Sequence, residues 1–352
     1  MKRLIIPIFI MNRGCPNRCV FCNERITAGD FPAMVTRDEF NAIVERYLAS
    51  AGNEYYQMAQ IAFYGGNFTG MTLLYQKKLL RYALPYIEQG IVSSIRISTR
   101  PDWIDTCCLD FLKAHHVRTI EIGAQSLDDE VLALSKRGHT AYQVKNAICL
   151  LKSRGFETGI HLMAGLPGDS KNRFSRTVSE TIALRPDTAR IHPTLVLKGT
   201  VLADLYEQGL YQAISLNEAI DWCKDALRCF KKEHIPVIRM GLHPTDEMVR
   251  GGNVIAGPFH PAFRSLVESA LFLDTALRLL AHVAPQTKSV CFSIAPQDSS
   301  YFRGIKNVNI ATLGSHLPGI SLAIREDLRQ KRDTIAMIAD GITYKADVTD
   351  AQ

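Results

Sequence analysis

Leu4-Ile5-Ile6-Pro7-Ile8-Phe9-Ile10-Met11-Asn12-Arg13-Gly14-Cys15-Pro16-Asn17-Arg18-Cys19-Val20-Phe21-Cys22-Asn23 comes almost first in the chain and decides how the rest is read. The apolar run Leu4–Met11 is far too short to span a bilayer. It lacks the small-residue cleavage site of a secretory signal and passes straight into polar, Cys-rich sequence. It reads as a buried strand. A C-x-x-x-C-x-x-C loop follows at its C-terminal end. Thiolates gathered on a short loop bind iron well. Cys15, Cys19 and Cys22 can hold three irons of a cubane and leave the fourth open to another ligand. A structural zinc ion wants four ligands. The loop offers three, so zinc would need a distant histidine.

Working outward, short apolar runs alternate with helical patterns. Candidate strands lie at Leu4–Met11, Gln60–Tyr64, Ser94–Thr99, Arg118–Gly123, Glu157–Met163 and Thr188–Thr194. Helix-like segments lie between them at Thr36–Ala49, Thr72–Ile87, Ile104–Ala114, Asp128–Ser135, Ala141–Ser153 and Arg173–Leu184. Thr36 with Glu39 has the form of a capping box. Gly90 and Gly155 suit helix C-caps. This alternation implies βαβ units, a parallel sheet and right-handed crossovers. The expected fold class is α/β, a partial (βα)6 TIM-like barrel with a small α+β C-terminal extension. Barrel active sites sit at the C-terminal ends of the strands, where the cysteines are.

After about residue 200 the pattern changes. A helical stretch, Leu216–Glu233, leads to a strand at Pro236–Gly241, a Gly- and Pro-rich loop, and a helix at Ala262–Val283. Strand-like runs dominate from Lys288 on: Ser289–Ala295, Val308–Leu313, Ile320–Arg325, Thr334–Ala339 and Thr343–Val348. The expected divisions are 1–200 for the partial barrel, 201–285 for a mostly helical extension along its side, and 286–352 for the small α+β portion.

The 352 residues, 47% of them hydrophobic, are enough for one large core and a smaller one. The net charge of +6 permits a phosphate-bearing substrate without arguing strongly for one. Nine cysteines without a signal argue against a disulfide framework and for a cytoplasmic protein without a membrane partner. Cys107, Cys108, Cys149, Cys223 and Cys229 read as core or helix thiols. His115 and His116 suit a helix C-terminus. His243 and His260, each before a proline in the Gly-rich loop, are candidate substrate contacts.

The cysteine motif, with Phe21 just before the third cysteine, resembles that of the radical S-adenosylmethionine (SAM) superfamily. The resemblance implies a 4Fe–4S cluster on Cys15, Cys19 and Cys22, with the methionyl amino and carboxylate groups of SAM on the open iron. A reductant such as flavodoxin or ferredoxin would supply an electron. The sulfur–C5′ bond would break, and the resulting 5′-deoxyadenosyl radical would abstract hydrogen from a substrate. Further segments agree. Gly65, Gly66 and Asn67 stand where the superfamily's glycine-rich segment meets the SAM amino group. Thr99 and Arg100 close the third strand, where many relatives carry a carboxylate that binds the ribose; Ser98 or Thr99 would have to serve instead, and Arg100 is either a surface charge or a contact to the SAM carboxylate. Gln125 and Arg137 match SAM-contacting residues, and His161 stands where related oxidases carry a ribose-binding aspartate. Gly165-Leu166-Pro167-Gly168 is similar to a superfamily turn.

Three segments resemble the branch containing the Elongator catalytic subunit's radical SAM region. They are Lys136–Thr140, Ile191–Thr200, and Arg239–Thr245 with Gly257–Phe263. That subunit carries a following acetyltransferase domain for which these residues offer no counterpart, so acetyl transfer to tRNA uridine is not carried over. The His-Asn-x-x-Tyr-Trp signature of oxygen-independent coproporphyrinogen III oxidases is missing. Three functions stay open: radical chemistry on tRNA or another RNA, radical chemistry on a small metabolite such as a tetrapyrrole, and a non-enzymatic iron–sulfur or zinc module.

Overall fold

A computed structural model describes residues 4–10, 14–16, 19–23, 26–27, 34–51, 59–242, 244–250 and 252–350. Met11, Arg13, Asn17, Arg18 and His243 fall outside the described residues. Among the described residues, seven strands form one parallel sheet in the order β1-β2-β3-β4-β5-β6-β8. These are β1 (Ile5–Phe9), β2 (Gln60–Tyr64), β3 (Ser94–Thr99), β4 (Val117–Gln125), β5 (Glu157–Ala164), β6 (Thr188–Pro193) and, after a short β7 (Val196–Leu197), β8 (Val237–Met240). The connecting helices include α1 (Arg37–Ala51), α2 (Leu73–Glu88), α3 (Thr106–Ala114), α4 (Asp129–Leu134), α5 (Ala141–Ser153) and α6 (Lys171–Ala183). The Thr36–Glu39 capping box forms, with Thr36 N donating to Glu39 Oε2 at 2.8 Å and Glu39 N to Thr36 Oγ1 at 3.3 Å.

The two faces of this sheet differ in chemistry. Ile6, Ile8, Ile61, Phe63, Ile95, Ile97, Ile120, Ile122, Ile160 and Ile191 are all fully buried and join a core with Phe40, Leu79, Leu109 and Val144 of the helices. The alternate positions are polar: Gln60 and Tyr64, Ser94 and Arg96, Thr119 and Glu121, His161, Arg190 and His192. Their side chains meet across strands that are not neighbours, so the sheet must curl. Arg190 on β6 lies over the Tyr64 ring on β2, its Cζ 4.9 Å from the centroid. In a flat sheet, strands four places apart would stand about 19 Å apart. The polar face is therefore the lining of a half-barrel, open between its edge strands β1 and β8.

The seventh strand exceeds the six units expected. β8 is four residues long with Arg239 in its interior, too short and too polar to announce itself as a barrel strand. It follows α7 (Val201–Glu207) and α8 (Leu216–Lys232) and lies within the 201–285 stretch. β7 pairs antiparallel with β9 (Val254–Ala256), beyond the short α9 (Asp246–Arg250). Helix α10 (Phe263–Leu280) packs on α8 and carries the last portion of the chain. There β10 (Ser289–Ile294), β11 (Ser321–Glu326), β12 (Thr334–Ala339) and β13 (Ile342–Asp347) form a mixed sheet ordered β11-β10-β12-β13. Asp340 and Gly341, both at positive φ, make the two-residue hairpin turn that the right-handed twist of the strands favours.

One expected strand is a helix. Val308–Leu313 lies in α12 (Val308–Ser315), beyond α11 (Ser299–Arg303). Its β-branched residues suggested a strand, but the buried positions are Asn309 and Leu313, four apart as on a helix face. Asn309 Nδ2 donates to the carbonyls of Ser269 at 2.9 Å and Phe302 at 3.1 Å, so a buried amide ties α12 to α10 and α11. Among the described residues, no helix is long and apolar enough to cross a membrane.

Candidate active site

The cysteine loop leaves β1 at the C-terminal rim of the sheet, and the neighbouring rim segments fasten it. Asn67, fully buried, is the hub. Its Nδ2 donates to the Gly14 carbonyl at 2.8 Å. Its Oδ1 accepts from Thr99 Oγ1 at 2.5 Å and from Arg100 N at 3.1 Å. Gly14 sits at φ +74, and a Cβ there would stand 2.1 Å from the Asn67 carbonyl oxygen. A Cβ on Gly70 would stand 2.2 Å from the Gly14 oxygen. Both positions need glycine because two backbones cross at contact distance.

Further along the loop, Val20 N donates to the Ser135 carbonyl and Leu202 N to the Val20 carbonyl. Asn23 Nδ2 donates to the Lys198 carbonyl at 2.8 Å. Phe21 packs against the apolar group of Val20, Val196, Leu202, Ala203 and Tyr211. Cys19 is buried, Cys22 partly so and Cys15 exposed. Arg137 Nη1 donates to Cys19 Sγ at 2.9 Å. Two of the segments singled out in the sequence, Lys136–Thr140 and Ile191–Thr200, thus supply several of the loop's anchors.

Arg137 also donates through Nη2 to the Gly123 carbonyl at 2.6 Å. A Cβ on Gly123 would stand 3.2 Å from Gln125 Nε2, 3.5 Å from Arg137 Nη2 and 3.6 Å from the Thr99 carbonyl. Three predicted cofactor contacts therefore converge beside Cys19. Four buried atoms on this rim have no hydrogen-bond partner: Arg100 Nη1, Gln125 Oε1, Arg137 Nε and His139 Nδ1. Each such orphan costs about 1–3 kcal/mol in a closed site. The set mixes cationic donors with acceptors, which suits a ligand carrying both a carboxylate and an amino group. Among the described residues, no three His, Cys, Asp or Glu side chains converge on a single-ion site. A cubane instead takes each thiolate on a different iron, around a volume rather than a point.

Other expected contacts are committed elsewhere. The Thr99 hydroxyl is shared between Asn67 and Thr69. The Asn67 amide clamps the loop instead of facing a ligand. Arg100 is bound to Asp102 through Nε at 3.0 Å and Nη2 at 2.9 Å, which leaves Nη1. Gly65, at φ +84, and Gly66 follow β2 on the rim and are partly exposed. His161 faces the lumen, where its Nε2 meets His192 Nδ1 at 3.0 Å. His260 accepts from Ala262 N through Nδ1 at 3.0 Å, a local turn contact.

Beneath the rim lies a charged layer that the sequence reading did not single out. Glu121 binds Arg96 through Oε1 at 2.5 Å and Arg190 through Oε2 at 2.8 Å. Gln60 Oε1 accepts from Arg96 as well, at 3.0 and 3.2 Å. A signal was available: Gln60, Arg96, Glu121, His161, Arg190 and His192 alternate with the isoleucine-bearing positions of their strands, which an aliphatic-filled barrel would not show.

Burial, reinforced by Arg137 and Arg100, holds the His139 imidazole down to about 3. Burial, with Arg190, Arg137 and Arg239, brings His161 to about 3. His192 is depressed by burial and by His161. An unfolded chain protonates these rings near their ordinary value of 6.5, whereas the folded chain does not until far lower pH. The unfolded state therefore binds more protons across that window. Stability is full above pH ~6.5 and falls below it, by at most ~1.4 kcal/mol per pH unit for each ring. Urea unfolding at about pH 7 and about pH 5 will show this loss, with a shallower slope in His161→Leu. Equal midpoints at both pH values would mean that the rings are not held neutral.

The Radical SAM superfamily model matches residues 9–180, and the Radical_SAM C-terminal domain model matches residues 186–272. A tRNA uridine(34) acetyltransferase of Dehalococcoides mccartyi is 25% identical over 241 residues, covering 59% of this chain and 52% of that protein. Elongator complex protein 3 of Saccharomyces cerevisiae is 33% identical over 144 residues, 40% of this chain and 26% of that protein. The chain thus spans about half the length of the bacterial acetyltransferase and about a quarter of the yeast protein. Among solved structures, the archaeal Elp3 of Methanocaldococcus infernus with an N-terminal deletion superposes with a TM-score of 0.59 at 20% identity, covering 77% of this chain and 63% of that one.

Proposed function

Because the chain belongs to the radical SAM superfamily of enzymes, we propose that it starts radical chemistry on an RNA, tRNA in particular, from a 4Fe–4S cluster on Cys15, Cys19 and Cys22. Bound there, the cluster and SAM supply one-electron cleavage of a sulfur–carbon bond and, through it, abstraction of hydrogen. The observation that carries this reading is the convergence of Gln125, Arg137 and the Thr99 carbonyl around Gly123, beside Cys19.

The chain's own residues have separable tasks. Arg137 donates to the Cys19 sulfur and keeps Nε for the carboxylate of SAM. Gln125 Oε1 accepts from its amino group, and Arg100 Nη1 offers a second cationic donor. Asn67 holds the loop to the end of β3. The apolar seat of Phe21 keeps water from the loop's inner side. A reductant such as flavodoxin or ferredoxin delivers the electron in the cytoplasm.

The RNA target is supported by the tRNA uridine(34) acetyltransferases among the relatives, and the net charge of +6 permits it. Protein reconstituted anaerobically and reduced will form 5′-deoxyadenosine from SAM, faster when tRNA is added. It will also bind tRNA with an affinity that falls steeply with salt. No 5′-deoxyadenosine at all would end the radical reading. Product that is indifferent to tRNA, with no binding, would end the RNA reading alone.

A further inference from the structure

The lumen layer below the cysteine loop holds more positive than negative charge. Register places His161 on β5 opposite Arg190 on β6, and Arg190 opposite Arg239 on β8. Glu121 spends one oxygen on Arg96 and the other on Arg190. Among the described residues, Arg239 has no carboxylate partner. Three guanidiniums thus share one carboxylate, an excess of two positive charges in a partly dry chamber.

We propose that Arg239 and Arg190, with the His161–His192 pair, seat a phosphate group of the substrate inside the half-barrel. This rests on reading the lumen as the substrate chamber of the radical enzyme. Four observations support it. Buried Arg190 Nε and His192 Nε2 have no hydrogen-bond partner. The Tyr64 ring lies beneath the Arg190 guanidinium, whose Cζ is 4.9 Å from the centroid. Burial, then repulsion from Arg190, pushes the Arg239 guanidinium down, against the opposing pull of Tyr64 and Glu121. Finally, β8 is an edge of the sheet and Arg239 is only half-buried, so a ligand can reach it from the open side.

The chemistry selects phosphate. Guanidinium forks bind oxyanions bidentately. A phosphate monoester carries about −1.5 to −2 at neutral pH on one tetrahedral group, which matches the excess; a monocarboxylate would leave a cation over, and malonate matches the charge but splits it between two planar groups. The two imidazoles are neutral, so each carries one N–H. If His161 Nε2 donates to His192 Nδ1, then His192 bears its hydrogen on Nε2 and offers it to the anion. A bound phosphate favours that tautomer over the reverse, in which Nε2 would present a lone pair.

Equilibrium dialysis of the full reconstituted chain tests this with inorganic phosphate, uridine 5′-monophosphate, uridine and malonate. Phosphate and the monophosphate should bind, and uridine and malonate should bind far more weakly. Arg239→Gln should weaken the monophosphate by about tenfold or more. Arg239→Lys, which keeps the charge but not the fork, should fall between. Cluster absorbance and the urea midpoint report whether either variant is merely misfolded, and Arg239→Lys keeps the test usable if Arg239→Gln is. Equal binding to wild type and both variants, no binding of either phosphate probe at millimolar concentration, or malonate binding as well as phosphate would overturn the site. The source of the phosphate is read separately. Displacement of the monophosphate by tRNA supports a nucleotide of RNA. Arg239-dependent binding that tRNA does not displace keeps the phosphate seat with a free phosphorylated metabolite, while the RNA reading fails.

Discussion

Replacing Cys19 by alanine will abolish both the visible absorbance of anaerobically reconstituted protein and its 5′-deoxyadenosine product. Cys19 is the most buried of the three loop cysteines and the one whose sulfur accepts from Arg137. Cys19→Ala would remove the proposed iron ligand and the sulfur that Arg137 Nη1 meets, while Arg137 keeps its bond to the Gly123 carbonyl. The fold should survive, because the loop's backbone hangs on Asn67, Ser135, Lys198 and Leu202 and not on its sulfurs. A stability change of about 1–2 kcal/mol is expected. Cys15→Ala and Cys22→Ala should behave alike in iron and sulfide content. Cys223→Ala, in a fully buried apolar site on α8, should leave the cluster intact. Iron analysis and product chromatography decide it: full iron and full product in Cys19→Ala would remove the assignment.

The largest loss of stability is expected from Glu121→Ala. Glu121 is 2% exposed and neutralises two guanidiniums, while Tyr64 Oη donates to its Oε1 at 3.2 Å. Removing one member of a buried ionic network leaves the other charges desolvated and uncompensated, at a cost of about 3–5 kcal/mol. Glu121→Gln keeps one acceptor but no charge and should lie between. The exposed pair Lys145–Glu180 serves as the control. Breaking it should cost no more than about 1 kcal/mol, since solvent screens both charges. Urea midpoints of the three variants read the contrast directly. Similar small losses for all three would mean that the lumen is wetter than its hydrogen bonding indicates.

Much of the fold was legible because strand and helix alternate with different periods. The helix-facing isoleucines of β2 to β6 gave the strands, and glycines and capping residues closed the helices. What failed did so for identifiable reasons. Val308–Leu313 is β-branched, yet its buried amide at Asn309 needs a helix to reach three carbonyls. β8 is short and centred on an arginine, and only its neighbours in space mark it as a barrel strand. At the site, cysteine spacing marked the loop, and resemblance singled out Gln125 and Arg137, which lie together beside Gly123. The Asn67 amide and the Thr99 hydroxyl have partners within the rim, and adjacency in sequence does not show which way such groups turn. The Glu121 layer was missed because its members come from four strands and assemble only when the sheet curls.

The interlock of Gly14, Asn67 and Gly70 bears on maturation. It fastens the peptide before Cys15 to the neighbouring strands using only carbonyls, an amide and the absence of side chains. A zinc finger stays unfolded until its ion arrives, because the ion is what closes its backbone. Here the Gly14, Asn67 and Gly70 contacts use none of the cysteine sulfurs, so a cluster held on those sulfurs would not have to close this stretch of backbone itself.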